Sequence, residues 1–352
     1  MAAEVYNRAV SLARKLLFSM VSLLLFCAVA EGVARLVFPP PDVSRHREHE
    51  QIIQTLGLPS LNDTMIADPA LFWKLKPDLK GRRITGRIRE TPIGFTVSTN
   101  HDGLRGSEIP PAKRGLRILA LGDSTTFGLG VEDDQTWPAI LQQRLRAELP
   151  GGVEVINAGV PGYTAYQGLR YFEMHAASLR PDLVLATFGF NDADSWGSRS
   201  DFQTAWMLRI RRWEKPFLAS RLYGGLKQLA RREVPAASPA ARRPRLSPRE
   251  FQFALSRLRD ECSARRIPLV LVIWPYANQM RSGGDRLVIY QPLVEAFGAR
   301  QGVPVVNLVK SFTEHPEPLF FDHVHANPAG CRAAAEALAR FCLDWMPGRG
   351  SR

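Results

Sequence analysis

The chain has 352 residues, 45% of them hydrophobic and 23% charged, which excludes a wholly disordered or fibrous protein. Once a hydrophobic N-terminus is set aside, the length suits one large domain with insertions, or one domain and a small satellite. The net charge is +12, from 46 Lys and Arg against 34 Asp and Glu. That charge is scattered, densest near residues 209–232, and lacks the pattern of a groove-entering or base-stacking face, so no nucleic-acid partner is expected. A solvated, arginine-rich surface accounts for it, and affinity for anionic headgroups or an acidic polymer is the sharper alternative.

The N-terminus decides the compartment. Arg8, Arg14 and Lys15 precede an uncharged run from Leu16 to Ala30. A cleaved signal peptide fits the charged start, the apolar run and Ala28-Val29-Ala30. An uncleaved signal anchor over residues 1–38 fits better, because apolar residues continue to Phe38 and Pro39-Pro40-Pro41 then stops a helix. In that reading Arg35 snorkels to the far interface, with Glu31 beside it. Either way the remainder lies outside the cytoplasm, and the positive charges before the span agree.

Residues 39–70 read as a linker, with prolines, charges and no sustained period. Residues 71–115 read as a small β-rich extension, with β-prone stretches at Arg82–Ile88 and Gly94–Thr99. From Leu116 an α/β alternation begins. Strands are predicted at Leu116–Leu121, Val153–Asn157, Asp182–Phe188, Pro268–Ile273 and Val303–Leu308. Helices are predicted at Gln135–Leu149, Ala165–Leu179, Pro248–Arg266, Asp285–Gln301 and Pro328–Trp345. Five apolar strands separated by helices imply a parallel sheet covered on both faces, with reactive groups at the strands' carboxyl ends.

An insertion at 195–247 interrupts this domain, which spans 116–346. Its first part sets Trp206, Met207, Trp213 and Phe217 among arginines, and its second, Val234–Ser247, reads as a mobile loop. It is either a lid or membrane- or polymer-facing element, or a helical decoration without a catalytic role. Of the four cysteines, Cys27 lies in the hydrophobic N-terminus and Cys262 stands alone. Cys331 and Cys342 are three turns apart on one predicted helix, too far to bond to each other. No Cys or His pair has metal spacing, so structural thiols and no metal or cofactor are expected.

Gly122-Asp123-Ser124 is a weak signal as a tripeptide. Its place directly after the first strand is stronger, since a serine there is presented to a cleft at the start of a helix. An N-cap role would explain the same residue and is compatible. A nucleophilic serine needs a base and a group to orient it. Asp322-His323-Val324-His325 offers both. An Asp three residues before a His on a turn brings its carboxylate to Nδ1 and leaves Nε2 for Ser124, so His325 is preferred over His323. Oxyanion donors are available in two loops after later strands, Asn157 to Thr164 and Gly189 to Asp192, where Asn191 carries a side-chain amide.

These four segments, in this order, resemble the blocks of the SGNH hydrolase superfamily, also called the GDSL family. The resemblance spans about residues 116–345 and departs from the common Gly-Asp-Ser-Leu form at Thr125. It implies a flavodoxin-like, three-layer α/β fold and metal-free chemistry on esters. The catalytic residues it implies are Ser124, Asp322 and His325. The oxyanion donors are the Ser124 and Gly162 backbone N–H groups, with Gly159 second to Gly162, and the Asn191 amide. The expected protein is a membrane-anchored, extracytoplasmic serine esterase acting on an acylated small molecule, lipid or glycan. O-acyl transfer to a surface polysaccharide and a non-catalytic envelope role are the alternatives.

Overall fold

The computed structural model describes residues 2–38, 58–88, 91–195, 199–214, 220–230, 243–280 and 290–345. The chain forms two compact units, residues 46–205 with 239–352, and residues 1–45 with 206–238.

The larger unit is built on the expected five-stranded parallel sheet. Four strands precede it or lie outside it: β1 (Met65–Asp68), β2 (Phe72–Leu75), β3 (Arg82–Ile88) and β4 (Thr91–Val97). The sheet itself comprises β5 (Leu116–Gly122), β6 (Val153–Gly159), β7 (Leu183–Thr187), β8 (Leu269–Ile273) and β9 (Val305–Asn307). Its order is β6-β5-β7-β8-β9, so strand order reverses at β5, as in flavodoxin-like folds. The register pairs Gly122 with Gly159 on one side and with Thr187 on the other, which aligns the carboxyl ends of three strands.

β7 and β8 are buried along their whole length, and β5 is buried after its first residue. Helices must therefore cover both faces. Helix Trp137–Glu148 packs on helix Pro328–Trp345, and helix Ala165–Leu179 packs on helix Pro248–Ala264. The first pair, with Trp137, Leu141, Ala334 and Leu338, closes a core over Ile118 and Val270. Local sequence sets the helix starts. Thr164 and Gln167 form a capping box before Ala165, and Ser247 and Glu250 form one before Pro248. Cys262, Cys331 and Cys342 are free and buried, and burial pushes each thiol up to about 12.

The β-rich extension is present as two antiparallel hairpins, β1–β2 and β3–β4. It starts earlier than expected, because β1 falls inside the segment read as a linker over 39–70. Leu58, Leu61 and Met65 are buried there, in pieces too short to show a period. Residues 39–57 lie outside the described residues.

The loop expected over Val234–Ser247 also needs correction at its end. Arg245 and Leu246 are buried, and Arg245 N–H and Leu246 N–H donate to Asp194 and Asp192 carbonyls. Residues 234–242 of that loop lie outside the described residues.

The smaller unit contains helix Ala2–Val37 and helix Arg221–Ala230. Arg14–Val37 is 24 residues long with mean hydropathy 2.2, long and apolar enough to cross a membrane, and it exposes Leu16, Phe18, Leu24 and Phe26. The helix continues without a break past Ala30. Near its end the Glu31 carboxylate accepts from Ser220 Oγ at 2.6 Å and from Arg221 N and Leu222 N at 3.0 and 3.1 Å. It thereby caps the second helix. Gly225 permits the closest approach, since a Cβ there would stand 2.5 Å from the Phe38 ring.

The arginines are not all a solvated surface. Arg105 is buried and uses its whole guanidinium. Nε donates to Asp133 at 2.8 Å, Nη1 to the Phe127 and Gly128 carbonyls, and Nη2 to the Thr96 and Val131 carbonyls. It ties β4 to the segment that follows Ser124. Arg105→Leu strands these acceptors and is expected to cost about 3–5 kcal/mol. The measurement is the midpoint of chemical denaturation of the purified protein, and an unchanged midpoint would remove Arg105 from the stabilising groups.

Candidate active site

β5 ends at Gly122, and a four-residue helix, Ser124–Phe127, begins at once. Asp123 caps it, its Oδ1 accepting from Thr125 N and Thr125 Oγ1, both at 2.8 Å. The turn is tight because Gly122 has no side chain. A Cβ there would lie 2.1 Å from Thr126 Oγ1 and 3.0 Å from the Thr187 carbonyl oxygen. The turn delivers the Ser124 hydroxyl to the carboxyl edge of the sheet.

Three residues expected to act together are brought together. His325 Nε2 lies 2.8 Å from Ser124 Oγ, and His325 Nδ1 lies 2.7 Å from Asp322 Oδ2. This network fits Nδ1–H donating to the carboxylate and Nε2 accepting from the hydroxyl. Asp322 Oδ1 accepts from Val324 N at 2.8 Å and His325 N at 2.7 Å, which locks the turn as the Asp-x-x-His spacing suggests. Burial alone would raise the Asp322 carboxyl. The His325 ring and these two N–H groups outweigh burial and hold it well below the usual carboxylate range. Ser124 is 5% and His325 3% exposed, so the hydrogen bonds between them are shielded from water. His323 is placed differently. Its Nδ1 is 3.8 Å from Asp322 Oδ2, its side chain is a third exposed, and its ring packs 5.1 Å from Phe190.

The two glycines of the second loop separate by geometry. Gly159 N–H donates to Asn157 Oδ1 at 3.0 Å, and a Cβ on Gly159 would lie 2.2 Å from Phe127 N. Gly159 therefore serves the close approach of β6 to the Ser124 helix. Gly162 is buried at φ +80°, and among the described residues its N–H has no hydrogen-bond acceptor. A buried, unpaired N–H is uncommon in a folded protein and suits an incoming oxygen. Asn191 reaches the same edge, but its Nδ2 donates to Asp123 Oδ2 at 2.9 Å and to the Tyr163 carbonyl at 3.1 Å. Donation to an oxyanion would require it to share or exchange one of these bonds.

Two carboxylates missed as functional candidates lie within the motif blocks. Asp123 is buried, and burial raises its carboxyl against the opposing pull of Thr125 and His325. Asp192 accepts from Ala165 N and Gly189 N, both at 2.8 Å, tying the third loop to the helix after the second. Burial raises its carboxyl to about 7, with the two N–H groups and Arg245 pulling down and Asp201 adding to the rise. Position next to Ser124 and Asn191 was the available signal for both. Trp73 and Arg245, which grip the Gly162 loop from outside the motif blocks, had no such signal. Trp73 Nε1 donates to the Pro161 carbonyl at 3.0 Å, and Arg245 Nη1 donates to the Gly162 carbonyl.

Several known proteins are similar to parts of this chain. Esterase TesA of Pseudomonas aeruginosa is 37% identical over 75 residues, which are 21% of this chain and 37% of that protein. An arylesterase of Vibrio mimicus is 36% identical over 76 residues, 22% of this chain and 38% of that protein. The matched segments thus span little more than a third of these relatives' own length. Among solved structures, a lipase/acylhydrolase from Enterococcus faecalis is similar at 20% identity over 65% of this chain and 95% of its own, with TM-score 0.44. An acetyl xylan esterase, AlAXEase, is similar at 16% identity over 64% of this chain and 99% of its own, with TM-score 0.45. Residues 120–333, more than half of the chain, match the family as a whole, and the protein belongs to the GDSL-like lipase/acylhydrolase family.

Proposed function

We propose that the protein is a serine esterase, held on the outer side of a membrane, that hydrolyses acyl esters through Ser124, His325 and Asp322. The observation that carries this reading is the continuous chain Ser124 Oγ to His325 Nε2 at 2.8 Å and His325 Nδ1 to Asp322 Oδ2 at 2.7 Å. In this reading His325 takes the Ser124 proton as Oγ attacks the ester carbonyl. The Gly162 and Ser124 backbone N–H groups receive the oxyanion, and Asn191 joins them by releasing part of its bond to Asp123 or Tyr163. His325 then returns the proton to the leaving alkoxide. Water, activated by the same ring, attacks the acyl-enzyme and frees Ser124.

If a sugar hydroxyl replaced water in the second half, the same residues would perform acyl transfer.

The membrane reading rests on Arg14–Val37, its exposed apolar side chains, and the bonds that tie Glu31 to the helix beginning at Arg221. The positive residues Arg8, Arg14 and Lys15 before it support an extracytoplasmic catalytic unit. The full chain is expected to stay in carbonate-washed membranes with residues 1–30 intact. Recovery of a soluble protein beginning at Glu31 would replace the anchor with a cleaved signal.

Two substitutions test the chemistry. Ser124→Ala is expected to abolish p-nitrophenyl acetate hydrolysis and fluorophosphonate labelling; wild-type turnover by that variant would sink the assignment. Asp322→Asn releases the His325 tautomer and is expected to lower kcat by on the order of 10²–10⁴. Its effect on stability has a defined sign. The Asp322 carboxyl is depressed in the folded state, so its contribution is fully present above the unfolded value near 3.9 and is lost as pH falls toward the folded value. The melting-temperature gap between wild type and variant should be widest above about pH 4 and narrow below it. A gap that widens on acidification would contradict this.

A further inference from the structure

Trp73 lies on β2, in the hairpin that precedes the catalytic sheet, and its side chain is buried. Its indole N–H donates to the Pro161 carbonyl at 3.0 Å. That carbonyl belongs to the same peptide group as the Gly162 N–H. In a trans peptide the C=O and N–H point in opposite directions, and the chain contains no cis peptide among its described residues. Fixing the carbonyl on one side therefore fixes the direction of the Gly162 N–H on the other. The hydrogen bond also polarises the peptide, which strengthens the N–H as a donor.

The grip is reinforced around this one peptide. Tyr163 Oη donates back to the Trp73 carbonyl at 2.7 Å, and Gln167 Nε2 donates to the Leu71 carbonyl at 2.8 Å. The Arg245 guanidinium lies 5.4 Å from the Trp73 ring centre and donates to the Gly162 carbonyl, so the next peptide is held as well. Arg245 is itself held by Asp201, at 2.7 and 3.1 Å, and by Gln167 Oε1 at 2.8 Å. The hairpin carries strain at the residue before the tryptophan. Phe72 sits at φ +67°, a left-handed conformation that a bulky side chain rarely adopts. Strain of this kind persists only where surrounding contacts enforce it, and it clusters at functional sites.

We infer that Trp73 is a positioning residue for the oxyanion site, acting through the Pro161–Gly162 peptide to aim the Gly162 N–H at the developing negative charge. The inference rests on the proposed esterase reading and adds to it a dependence on the N-terminal hairpin. Residue 73 lies outside the segment, 120–333, that matches the family. The hairpin is then part of the catalytic apparatus rather than a spacer.

The test is Trp73→Phe in the full-length protein. It keeps a ring against Arg245 and Tyr163 and deletes the N–H. With p-nitrophenyl acetate, kcat is expected to fall about tenfold, a fraction of the loss on removing a whole oxyanion donor, while KM stays within about twofold. End-point labelling of Ser124 by a fluorophosphonate should reach wild-type stoichiometry, which counts folded sites. The rate ratio between an ester and its thionoester should shrink by a similar factor, because sulfur makes weak hydrogen bonds and depends less on the donors. An unchanged kcat overturns the inference. So does a kcat loss that follows the loss of labelled Ser124, or one that leaves the ester-to-thionoester ratio unaltered, since either is the mark of a structural role. Retained hydrolysis in Ser124→Ala would instead bring down the esterase reading on which this inference stands.

Discussion

The reversal of strand order at β5 is the constraint on which the site depends. Because β6 and β7 lie on opposite sides of β5, the loops that leave their carboxyl ends diverge around the end of β5. Ser124, Gly162 and Asn191 follow these three strands, one each. The paired ends Gly122, Gly159 and Thr187 keep the loops level with one another. The crevice is thus a product of topology before any side chain is chosen. The side chains then close it. Asn191 bridges the β5 and β7 loops through Asp123, and Asp192 bridges the β7 loop to the helix that follows the β6 loop.

Buried arginines do much of the holding, which the net charge alone does not suggest. Arg105 binds the segment after Ser124 to the β3–β4 hairpin. Arg117 on β5 donates to Glu154 at 2.6 Å and to the Leu179 carbonyl at 2.8 Å at the far end of the sheet. Arg245 joins the end of the insertion to the Gly162 loop. Each guanidinium satisfies several acceptors in a fixed plane, a geometry lysine lacks. The arrangement divides a chain of +12 charge into solvated cations outside and a few polar staples inside, where each must be paired to be tolerated.

The sheet is legible in the sequence because its strands are short, mostly apolar and bounded by turn residues. Leu116–Leu121 and Leu183–Thr187 can hardly be read otherwise. The Asp322–His325 pair is legible because its spacing carries the geometry, Asp-x-x-His being a turn that folds a carboxylate onto a ring, and Ser124 is legible from its place directly after the first strand. The β1–β2 hairpin is not legible, since four-residue strands with patterns such as Phe-Trp-Lys-Leu show no sustained alternation. Residue type does not separate Gly159 from Gly162, since both are glycines in one loop; position within the family's block is what ranks Gly162 ahead. Only the positions of Phe127 N and Asn157 Oδ1 assign the first to packing. The burial of Arg245 is invisible for a related reason: it follows Arg242, Arg243 and Pro244 in a polar stretch, and its partners lie 44 and 83 residues away.

The second carboxylate in the site, Asp123, has a consistent electrostatic meaning. A full negative charge beside Ser124 would oppose the growth of another on the substrate oxygen. Burial pushes the Asp123 carboxyl upward, and donors from Thr125 and Asn191 disperse the charge that remains. Asp322 is treated in the opposite way, held low and aimed at His325 Nδ1, where the proposed mechanism develops a positive ring. Two aspartates close to one serine are therefore driven in opposite directions by their surroundings. One holds the Asn191 amide and caps the helix start, and the other, in the proposed mechanism, supplies the negative charge that a protonated His325 needs. Exchanging the two environments would stabilise the reactant and oppose the transition state, so the separation of roles follows from where charge must appear during ester cleavage.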